Sequence, residues 1–261
     1  MEDSLQNKKF LIGTSWKMNK TNEAAAAYIE ELAEEIGRLR DFAAVQIFVL
    51  PPFTAISDVR RQLKEKNLPV LHGAQNVCWA EEGAYTGEVS ASMIKGLDCH
   101  FVEVNHQERR KLFNETDQTA NWKIKQILKY KMSPIVCLGD EEKTEWAQTE
   151  IFLKKQITAL LADVAKEDIE NVILAYEPLW AIGQTAAAPV STVAKVHALY
   201  RQHLIETYGE KAGMGVRILY GGSVTAENAG ALLQVLDVDG LFIGRAALSA
   251  KGLIDIACRA F

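Results

Sequence analysis

Short apolar runs rich in Val, Ile, Leu and Phe recur along the chain, and the stretches between them are longer and amphipathic. Eight runs stand out: Phe10 to Trp16, Val45 to Leu50, Pro69 to Gly73, His100 to Asn105, Pro134 to Leu138, Asn171 to Tyr176, Val216 to Tyr220 and Asp239 to Ile243. Runs this short, apolar on both sides, suit parallel strands covered by helices. The intervening stretches read as those helices. Thr21-Asn22-Glu23 supplies capping residues ahead of Ala24 to Ala27, and Ser191 to Tyr208 carries Val193, Val196, Leu199, Tyr200 and Ile205 on one helical stripe. Consecutive strand–helix units in this number favour a closed (β/α)8 barrel over an open doubly wound sheet. No Ser/Pro/Gly-rich linker interrupts them, so residues 1–261 read as a single α/β barrel domain.

Composition narrows the function classes. The 261 residues are 48% hydrophobic and 24% charged, as in an ordinary globular protein, which argues against disorder. A net charge of -5 argues against a nucleic-acid or anionic-membrane surface, because those contacts need an extended basic field. Any bound anion must be held by local donors. The four cysteines, Cys78, Cys99, Cys137 and Cys258, show no metal-ligand spacing and read as buried thiols in a reducing compartment. Met1 to Lys9 is polar, and no apolar run reaches the ~18 residues of a membrane span. The expectation is a cytoplasmic protein.

Candidate chemistry stands at the ends of the runs, where a barrel keeps its site. Glu177 follows the sixth run in Ala175-Tyr176-Glu177-Pro178-Leu179-Trp180-Ala181-Ile182-Gly183. Pro178 stiffens the backbone, Trp180 is a large anchor, and small residues run on to Pro189. That pattern fits a hinged lid, whose closure excludes water from a carboxylate and raises its basicity. His106 ends the fourth run just before Gln107-Glu108-Arg109-Arg110, which suits a helix start. A helix N-terminus disfavours imidazolium, so the ring is expected to stay neutral and to donate a hydrogen bond to a carbonyl oxygen. Lys17, between Trp16 and Met18, places an ammonium at the rim for a phosphorylated substrate, with Glu108 as the carboxylate expected to orient it. Tyr220-Gly221-Gly222-Ser223-Val224 and Phe242-Ile243-Gly244-Arg245-Ala246-Ala247 end the last two runs, where glycines let backbone N–H groups approach a phosphate. Taken singly, each feature has an ordinary explanation: a surface glutamate before proline, a structural histidine, a solvated lysine, a Gly-Gly-Ser turn. The long loop Asn76 to Glu88 carries Trp79 and Tyr85, which are costly to leave in water and call for a partner surface.

The segments Ser15-Trp16-Lys17-Met18-Asn19, Gly73-Ala74-Gln75-Asn76, Gly83-Ala84-Tyr85-Thr86-Gly87-Glu88, His106-Gln107-Glu108-Arg109-Arg110, the Glu177 motif and Tyr220-Gly221-Gly222-Ser223-Val224, in this order, resemble the triosephosphate isomerase family. The resemblance runs from the first strand to the last helix. It implies a TIM barrel that needs no metal or organic cofactor and interconverts dihydroxyacetone phosphate and glyceraldehyde 3-phosphate, a step of glycolysis and gluconeogenesis, through an enediol. It also implies a homodimer in which the Tyr85-Thr86 loop docks beside the partner's site. Lys17, His106 and Glu177 are then the catalytic residues, and Gly183, Ser223 and Gly244 lie in the phosphate site.

Four departures cluster around that site. Ser15 stands for the family's Asn, and Asn105-His106-Gln107 for Gly-His-Ser. The lid tip Gln184-Thr185-Ala186-Ala187-Ala188 is one residue shorter, and Gly244-Arg245 replaces Gly-Gly. Ser15 opens space near the reacting carbons, while Asn105 and Arg245 are expected to add polar reach. Chemistry kept and substrate changed would look like this, and a branch of the family acting on L-erythrulose 1-phosphate is the alternative. Three readings from further afield are a Schiff-base aldolase using Lys17, a retaining glycosidase pairing Glu177 with Glu108, and a non-catalytic sugar-phosphate-binding protein.

Overall fold

In the computed structural model, which describes residues 9–41, 44–181 and 187–261, eight parallel strands close into a barrel in sequence order. They are β1 (Phe10–Ser15), β2 (Val45–Leu50), β3 (Val70–Ala74), β4 (Phe101–Val104), β5 (Ser133–Leu138), β6 (Ile173–Tyr176), β7 (Arg217–Tyr220) and β8 (Gly240–Ile243). Each lies within two residues of the apolar run that predicted it. The largest difference is at the sixth, where Ile169–Asn171 forms a 3-10 turn and the strand begins later. Around the barrel stand α1 (Asn22–Glu35), α2 (Ile56–Glu65), α3 (Ala91–Lys95), α4 (Gln107–Phe113), α5 (Asp117–Lys129), α6 (Trp146–Leu160), α7 (Val190–Tyr208), α8 (Glu210–Gly215), α9 (Ala229–Leu233) and α10 (Ala250–Ala257). Thr21 caps α1, its hydroxyl accepting from the Ala24 N–H at 3.3 Å.

Strand alternation sorts the side chains into two cores. Leu11, Phe48, Phe101, Ile135, Ile173, Leu219 and Phe242 fill the barrel interior, with the Phe48 ring 5.0 Å from Phe101 and 5.8 Å from Phe242. The alternate residues, such as Ile12, Val102, Val136, Leu174 and Ile218, pack under the helices. Closure of β8 on β1 depends on Gly240, which has φ +153° and whose missing Cβ would sit 1.8 Å from the Leu11 carbonyl oxygen.

Toward the C-terminal mouth the inward positions turn polar. Counting two residues on from Phe101 and from Ile135 gives Glu103 and Cys137, and the same alternation places Ser15 and Glu177 inward at the ends of β1 and β6. The 76–88 loop projects from the body, with Trp79 and Tyr85 39% and 43% exposed and their rings edge to face. Among the described residues no helix is long and apolar enough to cross a membrane, and no His/Cys/Asp/Glu group is arranged to hold a metal ion.

Candidate active site

The mouth of the barrel encloses a cavity of about 610 Å³ lined by Lys17, Glu103, His106, Glu177, Ser223 and Arg245 among others. Glu177 hangs from the end of β6, where its N–H donates to the Leu138 carbonyl at 2.8 Å. Just below it, the Tyr176 hydroxyl and the Trp180 indole N–H both donate to Asp140, at 2.9 and 2.6 Å, and the Leu179 N–H donates to the Asp140 carbonyl. The anchor expected of Trp180 is therefore a bond to the neighbouring strand's loop, and it fixes the turn that follows β6. Glycine at 221 leaves room for the base: a Cβ there would sit 2.9 Å from Glu177 Cγ.

Glu177 is 4% exposed, and burial pushes its pKa up to about 8, with the Glu103 charge adding to the rise and Lys17 opposing it. His106 caps α4, its Nδ1 accepting the Glu108 backbone N–H at 3.1 Å. An accepting Nδ1 leaves the proton on Nε2, which points at Glu177 Oε1 across 3.7 Å. Burial first, and the Lys17 charge second, push the imidazole pKa down to about 4, so the ring is neutral and its Nε2–H is a donor. Lys17 Nζ lies 2.7 Å from Glu108, the carboxylate that the sequence singled out. Burial lowers the ammonium's pKa, but the Glu108 hydrogen bond and charge outweigh it and the net shift is upward. The Lys17 backbone is left-handed, φ 53°, a conformation that a residue with a side chain adopts at some cost. Gln75 holds it there, donating to the carbonyls of Lys17 and Leu50 at 3.1 and 2.9 Å.

Between Glu177 at the end of β6 and Lys17 beyond β1, and across the mouth from His106, Gly221, Gly222, Ser223, Gly244 and Arg245 line the cavity from the ends of β7 and β8. The Ser223 hydroxyl donates to the Ala181 carbonyl at 3.3 Å, joining the end of β7 to the turn after β6. Arg245 is exposed at the rim, and no acidic side chain among the described residues pairs with it. Gly183 and most of the lid tip, residues 182–186, lie outside the described residues.

Two further candidates are engaged in hydrogen bonds within the barrel wall. Asn105 lines an adjoining space with Gln107, Arg110 and Glu177, where its amide donates to the Cys137 carbonyl at 2.8 Å and its oxygen accepts from Arg110 at 2.9 Å. Ser15 does line the cavity, but its hydroxyl is engaged, donating to Glu103 at 2.7 Å. Glu103 was not among the candidates. Its signal is a lone glutamate inside an apolar run, at even spacing from an inward Phe101.

The profile of the family described as triosephosphate isomerase matches residues 10–260. A triosephosphate isomerase from Alkaliphilus oremlandii is 40% identical over 250 residues, 95% of this chain and 98% of its own. One from Alkaliphilus metalliredigens is 38% identical over the same shares. Among solved structures, the triosephosphate isomerase of Bartonella henselae superposes with a TM-score of 0.83 at 31% identity, covering 96% of this chain and 98% of that one.

Proposed function

The chain belongs to the triosephosphate isomerase family and is an isomerase of that type; from this premise we propose that its barrel mouth interconverts dihydroxyacetone phosphate and glyceraldehyde 3-phosphate by proton transfer through an enediol. The observation that carries the assignment of roles is the facing pair in one buried cavity, a Glu177 carboxyl and a His106 Nε2–H 3.7 Å apart. Glu177 takes the proton from the carbon beside the carbonyl, since its raised pKa makes it a stronger base than a solvated carboxylate. The neutral His106 donates to the oxygens of the enediolate and moves a proton between them. Lys17, held cationic by Glu108, balances the developing negative charge. The glycines and Ser223 at β7 and β8, which line the cavity, bind the phosphate, and the resemblance to the family adds Gly183 to them.

Lys17 argues against the aldolase reading, because a Schiff base needs a neutral amine and the pKa here moves the other way. The glycosidase pairing leaves Glu108 bonded to Lys17 and gives no use to the phosphate cradle. The tetrulose reading, L-erythrulose 1-phosphate to D-erythrulose 4-phosphate, keeps one specific support: Arg245, at a rim position where the expected pattern has glycine, lines the cavity and has no acidic partner among the described residues. We also assign the exposed Trp79 and Tyr85 to a homodimer contact, and the four free thiols to a cytoplasmic setting.

The test is turnover of dihydroxyacetone phosphate, glyceraldehyde 3-phosphate and both erythrulose phosphates by purified protein in deuterated water. Wild type incorporates solvent deuterium at the carbon that loses its proton. Glu177→Gln loses that exchange by about 10²–10⁴-fold while still binding inorganic phosphate. Exchange at the wild-type rate in the variant removes Glu177 from its role, and preference for the four-carbon sugars replaces the triose reading with the tetrulose one.

A further inference from the structure

Glu103 is a carboxyl group in a place where a barrel stacks apolar side chains. It is 3% exposed, and no cation among the described residues lies within ion-pair distance of it. Its hydrogen-bond partners are both neutral: the Ser15 hydroxyl donates to Oε2 at 2.7 Å, and the Cys137 thiol stands 3.9 Å from Oε1. A buried carboxylate with no cation is expensive, and an apolar residue at this position would cost nothing of the kind. Yet Glu103 is not sealed in the core, because it lines the same cavity as Glu177, His106 and Lys17.

The topology says which part of a ligand reaches it. Strands run in order around the closed barrel, so β4 faces β8 across the mouth. The phosphate cradle belongs to the ends of β7 and β8, and Glu103 rises from β4, with His106 at that strand's end. A sugar phosphate anchored by its phosphate at β7–β8 and reaching across the cavity brings its hydroxyl-bearing, reacting end toward β4. Resting on the isomerase reading, we infer that Glu103 is a substrate-orienting residue: with Ser15 it forms the polar floor of the cavity and hydrogen-bonds a hydroxyl at the end of the sugar remote from the phosphate. The neutral carboxyl is available for this, since burial pushes its pKa up to about 7 against the pull of Ser15 and Lys17. A protonated carboxyl can donate to one oxygen and accept from another, as a polyol end requires. The groups that set its proton are Ser15 and Lys17 from the β1 end, Glu108 of α4, Cys137 of β5 and, at the end of β6, Glu177, whose own pKa the Glu103 charge raises.

Glu103→Leu and Glu103→Gln separate this role from packing. Each is assayed for kcat and KM on three- and four-carbon sugar phosphates across pH, with calorimetric binding of the same sugars and of inorganic phosphate. Glu103→Leu is expected to lose about 10²-fold or more in kcat/KM, because a site built to bond a hydroxyl loses that much when the bond is deleted. Inorganic phosphate affinity stays within about twofold. Glu103→Gln, which retains a donor and an acceptor, recovers at least tenfold of the loss, on the order expected for one restored hydrogen bond. In both variants the acid limb of kcat/KM moves to lower pH, because the charge that raises Glu177 is gone. If Glu103→Leu does not fold, Ser15→Ala and Glu103→Gln carry the test, the first by releasing the carboxyl from its orienting bond. Variants that fold and keep wild-type kcat/KM, sugar affinity and pH limb overturn the inference. If wild type turns over none of the sugars, the isomerase reading fails by itself. The calorimetry still decides Glu103, which is upheld only if sugar phosphates lose affinity in the variants and inorganic phosphate does not.

Discussion

Glu115, packed behind β4 between α4 and α5, and Glu103, inside the mouth on the same strand, are both withdrawn from water, yet their surroundings differ in kind. Glu115 accepts the Asn105 N–H at 2.8 Å, Arg109 Nε at 2.7 Å and the buried Lys123 ammonium, which also donates to Asn76. Burial would raise its pKa, but Lys123 and these hydrogen bonds outweigh it and hold the carboxyl below its usual value. Glu103 has only Ser15 and Cys137, and its pKa rises. Full satisfaction makes a frame: the Glu115 network ties the base of the 76–88 loop to the strand end that carries His106. Incomplete satisfaction leaves a group with bonding capacity for something else, and the two incompletely satisfied buried carboxyls, Glu103 and Glu177, are the ones that line the cavity.

Stability measurements can break this contrast. Lys123→Met deletes the ammonium from the satisfied site and leaves Glu115 short of a charge partner, which should destabilise the fold by about 3–5 kcal/mol in urea titration at neutral pH. Glu103→Gln should do the opposite above neutrality. Glu103 has a folded pKa of about 7 against 4.5 for the ordinary group, so its contribution is fully present below the unfolded value and is lost as pH rises through about 7. Wild type therefore gives up roughly 3 kcal/mol between those limits that the amide variant does not. Equal stability changes at the two sites, or a Glu103→Gln that is destabilised at pH 8, would erase the distinction between frame and site.

The pH dependence of kcat/KM sharpens it further. Glu177 acts as a base only when ionised, and its free-enzyme pKa is pushed up to about 8. The profile should fall about tenfold per pH unit on the acid side of that value, which puts pH 6 about 10²-fold below the plateau. His106, pushed down to about 4, contributes no limb near neutrality. A profile flat from pH 5 to 9 would show that a Glu177 this basic is not the reacting form.

Most of the frame could be read from the chain because barrel strands are short, apolar on both sides and evenly spaced. Lys17, His106, Glu177 and the Gly221-Gly222-Ser223 turn could be read because each sits in a motif at a strand end, and the structure brings them to one cavity. Glu103 could not. Within His100 to Asn105 it is one polar residue in an apolar run, and the partners that give it meaning, Ser15 and Cys137, are 88 and 34 positions away. The partners of Asn105 were hidden for the same reason: Cys137, whose carbonyl accepts from its amide, is 32 positions away. The left-handed backbone at Lys17 depends on Gln75, 58 residues on, and left no local mark.

The smallest expected effect tests what the divergent rim does for specificity. Ser15 and Arg245 stand at the ends of the paired strands β1 and β8, Ser15 bound to Glu103 on the floor and Arg245 exposed at the rim. Restoring the family's residues, Ser15→Asn with Arg245→Gly, removes a guanidinium from the phosphate side and replaces the donor on which Glu103 depends. Asn has an amide that can still donate to the carboxyl, so the floor remains polar while the space above it shrinks. Arg245→Gly deletes reach without opening a buried hole, because the side chain is exposed. The double change should therefore leave stability within about 1 kcal/mol and act on the ratio of kcat/KM between four- and three-carbon substrates, shifting it toward the smaller by about tenfold. Side-by-side assays of glyceraldehyde 3-phosphate and the erythrulose phosphates read that ratio directly. If it does not move while both rates fall together, the departures serve phosphate capture common to both substrates, and discrimination between them rests with Glu103 or with the lid.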